Sequence, residues 1–405
     1  MRPPIHVIGM TEAGLDGLAP AARAALESAD VIWTSERLKA ALPEALQRRA
    51  HVWPKPFALP RDAIAMARDA GRHVAVLASG DPFRFGVGVL LAEAFGPAAL
   101  SVHPAPSAFA LAAARLGWPL QRVETLSLHG RPVELLHRHL RPAARLMLLT
   151  GGAETARAVG ELLTETGFGG STAHVLAHLD GPQERHLTLT AHDLATASVP
   201  DLHVLALELA AEDGAAWWPL APGLPDDMFV HDGQLSKRHV RAMTIPRLLP
   251  APGRTLIDIG AGCGGICVEW LRLAGPDATA HAIERDAARG EMIAANARRL
   301  GAPHLRVHHG EAMNTLATLP PADALFLGGS VGDDALRAAA RARLKPGGVL
   351  IAHAVTLGAQ RALLTCQARF GGELARLSVE TEAAIGPHSA LKPALPVLQW
   401  VWEKP

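Results

Sequence analysis

The chain of 405 residues contains no tyrosine, and only 4% of it is aromatic. That scarcity argues against a stacking platform for single-stranded nucleic acid. Charge of one sign is also lacking: 39 Lys and Arg balance 39 Asp and Glu. A general nucleic-acid binder would carry a basic excess, so no nucleic-acid partner is expected. Cysteine is sparse too. Cys263, Cys267 and Cys366 are too few for a disulfide scaffold. No second Cys/His pair completes a zinc site beside Cys263 and Cys267, so no metal is expected. No run of about 20 apolar residues occurs, which leaves no helical membrane span to expect. The opening "MRPPIHVIGM" lacks the long apolar stretch of a signal peptide, and a cytoplasmic enzyme is the expectation.

What is present is alternation. Apolar runs of strand length occur at 5–9, 30–35, 73–79, 100–104, 145–150, 173–179 and 203–209. Helical stretches such as "PSAFALAAARLG" (106–117) and "ETARAVGELLTETG" (154–167) lie between many of them. Strands alternating with helices indicate α/β architecture. "AAEDGAAWWPLAPGLPDD" (210–227) breaks the pattern and reads as a linker, placed at 213–224. Trp217 and Trp218 are expected to pack it onto a domain. The alternation then resumes. "SKRHVRAMTIPRLL" (236–249) predicts a helix capped by Ser236. Strands are predicted at 255–260, 280–285, 305–310, 323–329, 348–355, 376–384 and 396–404. The last two have no helix between them, which predicts an antiparallel edge. The expected domains are 1–212 and 225–405.

"LIDIGAGCGG" (256–265) marks the clearest candidate site. Gly260, Gly262 and Gly265 satisfy G-x-G-x-x-G, and Gly264 adds a fourth glycine. Glycines allow a tight turn and close approach of backbone to a ligand. By itself the turn suits NAD, FAD or S-adenosylmethionine. Three neighbours separate these. Asp258 ends the strand, where a dinucleotide site keeps apolar residues, and an acid suits a cofactor with a positive amino acid end. Glu284 ends the next strand, where an acid accepts from ribose hydroxyls. "GEAMNTL" (310–316) follows the third strand and supplies a turn that can cover adenine.

With those residues in order, 225–405 resembles the precorrin C-15 methyltransferase/decarboxylase family of class I S-adenosylmethionine methyltransferases. The segments "PDDMFVHDGQLSKRHVRAMTIPRLLPAPGRTLIDIGAGCGG", "DALFLGGS", "LKPGGVLIAHAVTL" and "PVLQWVW" carry the resemblance. It implies a Rossmann-like domain with a seven-stranded, mostly parallel sheet. It also implies cofactor contacts at Ser236, Gly260, Ala261, Gly262, Cys263, Gly264, Glu284, Glu311 and Ala312, beside Asp258.

In the first half, "ASGDPFRFG" (78–86) follows a strand, and Ser79, Gly80 and Asp81 form a tight turn stiffened by Pro82. "HPAPSAFALAAARLGWP" (103–119) adds a Pro-bracketed bend with Ser107 opening a helix. With "SLHGR" and "LLTGG", these segments make 1–210 resemble the two-lobed tetrapyrrole methylases, and among them the C-5 methyltransferases. The resemblance implies cofactor contacts at Gly9, Gly80, Asp81 and Ser107. The first loop, "IGMTEAGLDGL", departs from the family in lacking proline.

The two modules in this order resemble the bifunctional C-5,15-methyltransferase family of aerobic cobalamin synthesis. The resemblance implies methylation of precorrin-6Y at C-5 and C-15, with loss of CO₂ from the ring C acetate, giving precorrin-8X. It implies two S-adenosylmethionine sites, and homo-oligomerisation is common among related folds. A substrate rich in carboxylates calls for cations. Lys237, Arg238 and Arg241 stand at a predicted helix start, with Lys237 and Arg241 on one face. Arg84 and Arg131 are the counterparts in the first half. Asp81, His129 and His231 are candidates for proton transfer. Two other readings remain: an NAD-dependent oxidoreductase using the 256–265 turn, and a single-site enzyme with a non-catalytic N-terminal scaffold.

Overall fold

The structure, a computed structural model, describes residues 2–405. The chain divides into two compact units. One holds the residues up to Val133 together with Arg141–Ala216, and the other holds Glu134–Leu140 with Trp217–Pro405.

The first unit contains two five-stranded sheets. The first sheet runs Ala50–Val52, Val31–Thr34, Val74–Ser79, Ile5–Met10, Leu100–His103, all parallel. Its central strands are continuous apolar runs because helices cover both faces. Ile8 and Leu77 enter one core cluster, and Val7 and Val76 another. The second sheet runs Glu124–Ser127, Arg145–Leu149, His203–Glu208, Thr172–Ala177, Arg185–Thr190. Only its first pair is parallel.

The second unit is built on a seven-stranded sheet. Its order is Arg306–His309, Thr279–Glu284, Thr255–Ile259, Ala322–Leu327, Leu344–Ala354, Val397–Glu403, Glu373–Leu377. The first five strands are parallel. Val397–Glu403 is antiparallel to both its neighbours. The predicted antiparallel edge is therefore present: Val397–Glu403 and Glu373–Leu377 close that side of the sheet, with Glu373–Leu377 outermost. Side chains alternate between faces. Leu256, Ala324, Phe326 and Ile351 fill one core, and Ile257, Leu325 and Leu350 the other. The chain leaves Thr255–Ile259 in one direction along the sheet and crosses back to Ala322–Leu327. That reversal opens a crevice at the carboxyl ends of the strands.

Two predicted elements differ. The 236–249 helix is shorter, Arg238–Thr244, followed by the 3-10 turn Ile245–Leu248. Pro246 supplies no N–H to continue the α ladder. The predicted 376–384 strand is two strands. The second, Glu380–Ile385, pairs with His388–Pro393 in an exposed hairpin of its own.

Candidate functional site

In the second unit the strand Thr255–Ile259 is followed by Gly260, and the helix Gly265–Ala274 begins five residues after that glycine. Gly260, Gly262 and Gly264 take φ of +71°, +58° and +82°. At Gly262 the backbone approach is closest: a Cβ there would lie 2.3 Å from the Gln234 carbonyl oxygen. The turn is latched on two sides. Gly260 and Ala261 N–H donate to Ile283 O at 3.0 and 3.1 Å, and Cys263 N–H donates to Gln234 O at 3.1 Å. The Glu284 carboxylate accepts from the N–H groups of Gly262 (2.9 Å), Arg285 (3.0 Å) and Asp286 (3.1 Å). Glu284 thus shapes the glycine turn, a role its position at a strand end did not reveal.

Asp258 is 1% exposed. Its Oδ2 accepts from Cys267 Sγ at 3.6 Å, and its Oδ1 is enclosed without a partner. Burial pushes its pKa up to about 7. An orphaned acceptor lies two residues before the turn, and a Cβ at Gly260 would meet nothing closer than Gly329 N at 3.6 Å. This combination fits a ligand with cationic donor groups, as S-adenosylmethionine has. Glu311 is exposed and caps the helix Ala312–Thr318 without a side-chain bond, and Ala312 is half-buried.

The segment before the turn brings residues that sequence patterns did not single out. Asn296 is fully buried. Its amide pairs with Val230 N–H and O, at 2.8 and 2.9 Å, and donates to Cys263 O at 2.9 Å. Asp232 accepts from Arg289 Nε at 2.8 Å and from Gln234 N–H at 3.0 Å. These bonds, the backbone one foremost, hold its pKa down at about 2. Their only sequence signal was the place of Asp232 and Gln234 in the "VHDGQLSK" match. His231 is exposed, and its Nδ1 accepts from Gly233 N–H at 3.1 Å.

Two expectations need correction here. Ser236 is not the helix cap: Lys237 occupies that position and makes no side-chain cap bond. The Ser236 carbonyl instead accepts from Arg241 Nη1. Arg241 is not a substrate-facing cation. It is fully buried, with Nε donating to Glu269 at 2.6 Å and Nη1 to Asp226 at 2.7 Å. Nη2 donates to Leu224 O, so every nitrogen is engaged inside the protein. Lys237 and Arg238 remain exposed, with Arg238 Nε on Gly223 O at 2.8 Å.

In the first unit, two turns meet the end of the first strand at the carboxyl side of the parallel sheet. A Cβ on Gly9 would lie 2.3 Å from Gly80 O and 2.7 Å from Ala105 N. Gly80 N–H donates to Met10 O at 2.9 Å, with φ +64°. The end of the first strand, the Gly80–Asp81 turn and the proline bend are thereby packed backbone to backbone. Asp81 Oδ1 accepts from Phe83 N–H at 2.8 Å, an Asx turn. Ser107 caps the helix Ala108–Leu116, its Oγ accepting from Ala110 N–H at 3.1 Å. Arg84 lies over the Phe85 and Phe109 rings, at 5.3 and 5.6 Å, and donates to Thr125 Oγ1. Since Thr125 lies on the edge of the second sheet, Arg84 bridges the two sheets. His129 is exposed with Nδ1 3.4 Å from Thr150 O, and Arg131 is exposed. Among the described residues, no hydrogen bond joins Asp81 to His129.

Comparison with known proteins follows this division. Residues 4–195 match the family described as Tetrapyrrole (Corrin/Porphyrin) Methylases, and 227–404 match the Precorrin methyltransferase domain. A precorrin-6Y C(5,15)-methyltransferase (decarboxylating) from Sinorhizobium sp is 43% identical over 404 residues, covering 100% of this chain and 97% of that protein. The chain belongs to that family. A second member, from Mycobacterium tuberculosis (strain CDC 1551 / Oshkosh), is 36% identical over 400 residues, covering 98% of each. The crystal structure of the C-terminal domain of precorrin-6Y C5,15-methyltransferase from Rhodobacter capsulatus shares 36% identity. It covers 46% of this chain and 100% of that one, with a TM-score of 0.44. As a C5,15-methyltransferase family member the chain is a methyltransferase, and S-adenosylmethionine is the methyl donor such families imply. No helix is long and apolar enough to cross a membrane among the described residues.

Proposed function

We propose that this chain methylates precorrin-6Y twice and decarboxylates it once, from two S-adenosylmethionine sites. Residues 1–212 act at C-5. Residues 225–405 act at C-15 and remove CO₂ from the ring C acetate, giving precorrin-8X. The observation that carries this reading is family likeness along the whole chain, with a glycine-turn cluster at the strand ends of each unit.

S-adenosylmethionine, when bound, supplies a methyl already activated on a sulfonium. The protein's part is to hold the reacting carbon in line and to keep water out. In the C-terminal unit the backbone of Gly260–Gly264, the Asp258 and Glu284 carboxylates and the Glu311–Ala312 turn would hold the donor. In the N-terminal unit Gly9, Gly80, Asp81 and Ser107 would do so. Lys237 and Arg238 are exposed cations for substrate carboxylates, as are Arg84 and Arg131 in the first half. Asp81, His129 and His231 are the groups offered for proton transfer. The chain works as a homo-oligomer in this reading.

Titration of the full chain with S-adenosylhomocysteine is expected to fill two sites. Mass spectrometry of the product from precorrin-6Y should then show two methyl gains and the loss of one CO₂. Gly262→Val, which drives a side chain into Gln234 O, should leave one site. A full chain that binds a single equivalent and adds a single methyl would overturn the two-site reading. Preferential binding of a nicotinamide dinucleotide would restore the oxidoreductase.

A further inference from the structure

The C-terminal unit holds a buried polar trio apart from the glycine turn. His353 comes from the strand Leu344–Ala354, Gln399 from Val397–Glu403 and Thr244 from the helix Arg238–Thr244. All three are buried. Gln399 Nε2 donates to His353 Nε2 at 2.9 Å and to Thr244 Oγ1 at 3.1 Å. Thr244 Oγ1 donates to Val240 O at 2.7 Å and lies 3.2 Å from His353 Nε2. His353 Nε2 is therefore an acceptor, and its ring hydrogen belongs on Nδ1. Burial lowers the pKa of this imidazole to about 4, so it is neutral near pH 7. Among the described residues Nδ1 has no hydrogen-bond partner, and it is not fully enclosed. The network uses one ring nitrogen to hold the ring and leaves the N–H of the other unpaired at the margin of solvent, on a residue 8% exposed.

The position of that N–H is informative. Leu327 pairs with Ala352, so His353 stands one residue further towards the carboxyl end, level with Gly328. Its ring sits edge-on to Phe326, with centroids 4.8 Å apart. Phe326 in turn pairs with Asp258. By strand alternation His353 and Asp258 share one sheet face. With one strand between them and His353 two residues further along, they lie about 12 Å apart over the sheet. A macrocycle placed against the methyl donor spans that distance.

We propose that His353 is a substrate-positioning residue, its Nδ1–H binding the carboxylate that leaves as CO₂; this rests on the functional reading above. During decarboxylation the C–C bond electrons pass into the conjugated macrocycle, CO₂ departs and the remaining carbon takes a proton from water. Negative charge leaves the carboxylate as the barrier is climbed. A cation at that place would stabilise the ground state more than the transition state and slow the step. A neutral donor against an apolar ring orients the carboxylate without that penalty. His353 neither gives nor takes the proton.

The full chain is assayed on precorrin-6Y for CO₂ released per methyl added at C-15. His353→Leu removes the donor, while His353→Asn puts an amide N–H where Nδ1 stood. The Leu variant should lower the ratio by about tenfold, the loss of one neutral hydrogen bond. The Asn variant should restore most of it. Both should bind S-adenosylhomocysteine as the parent does. A Leu variant with the parent's ratio overturns the proposal. So do Leu and Asn variants that lose methylation and CO₂ release in parallel, which would mark a purely structural residue. A parent chain that neither methylates nor decarboxylates would overturn the functional reading itself.

Discussion

Arg241 is charged, fully buried and bonded through every nitrogen. Its value lies in what its removal would strand. Glu269 is 1% exposed, and it also accepts from Gly223 and Leu224 N–H. Arg241→Met leaves that carboxylate buried without its counter-charge, a loss of about 3–5 kcal/mol. Lysine, a point charge, should not rescue a site that uses three guanidinium nitrogens. Denaturant unfolding, followed on the C-terminal unit's transition, checks this. A cost under about 1 kcal/mol would mean the pair is dispensable. Asp258 poses the opposite case. Its pKa is raised from 3.8 to about 7, so between those values the folded chain keeps a proton that the unfolded chain has lost. Its contribution to stability therefore falls as pH rises through that window. Asp258→Asn should remove the decline. The melting temperature of the variant minus that of the parent should climb from pH 4 to pH 7 and level off above. A difference that does not change with pH would show that the carboxyl ionises as it does in water.

At the scale of elements, the glycine turn and the sheet edges behave differently. The turn was visible because positive φ and close backbone approach demand glycine, whatever surrounds it. Gly262→Ala puts a Cβ 2.3 Å from backbone oxygen, and the turn must move. Binding of S-adenosylhomocysteine to the C-terminal site should weaken at least tenfold by calorimetry. Gly253→Ala is the matched control: its φ is +76°, but nothing lies within 4 Å of the added carbon. It should cost about 1 kcal/mol of stability and leave binding unchanged. Equal effects of the two substitutions would assign the loss to backbone strain alone. The strands were legible where both faces are buried, as in Val74–Ser79 and Thr279–Glu284. Ala50–Val52, Glu124–Ser127 and Arg185–Thr190 escaped notice. Each is short or at an edge, and Arg185–Thr190 has four exposed residues of six and none buried. Such strands form because a neighbour offers a ladder, not because their own apolar pattern demands it.

For the whole molecule, pH dependence sums over many buried groups. His137, His281 and His353 each have a pKa lowered from 6.5 to about 4, chiefly by burial. Between those values the unfolded chain binds protons that the folded chain refuses. Stability is therefore lost as pH falls through that range. Three imidazoles oppose the single carboxyl of Asp258, so the melting temperature should drop between pH 7 and pH 4.5. A flat profile there would show these rings protonated in the folded state.

The residue order alone carried the α/β alternation, both glycine-turn systems and the acids flanking the second one. Each is a local backbone or burial requirement, written in neighbouring positions. Three-dimensional folding decided which cations near the turn face outward. Arg241 and Lys237 are alike in sequence pattern, but Arg241 meets Glu269, 28 residues away on another helix. It also placed Val397–Glu403 inside the sheet and brought His353 to Gln399 and Thr244, 46 and 109 residues apart. Periodicity tells a side chain which face to take. It does not tell it which distant partner will be waiting there, because that depends on how the strands are ordered.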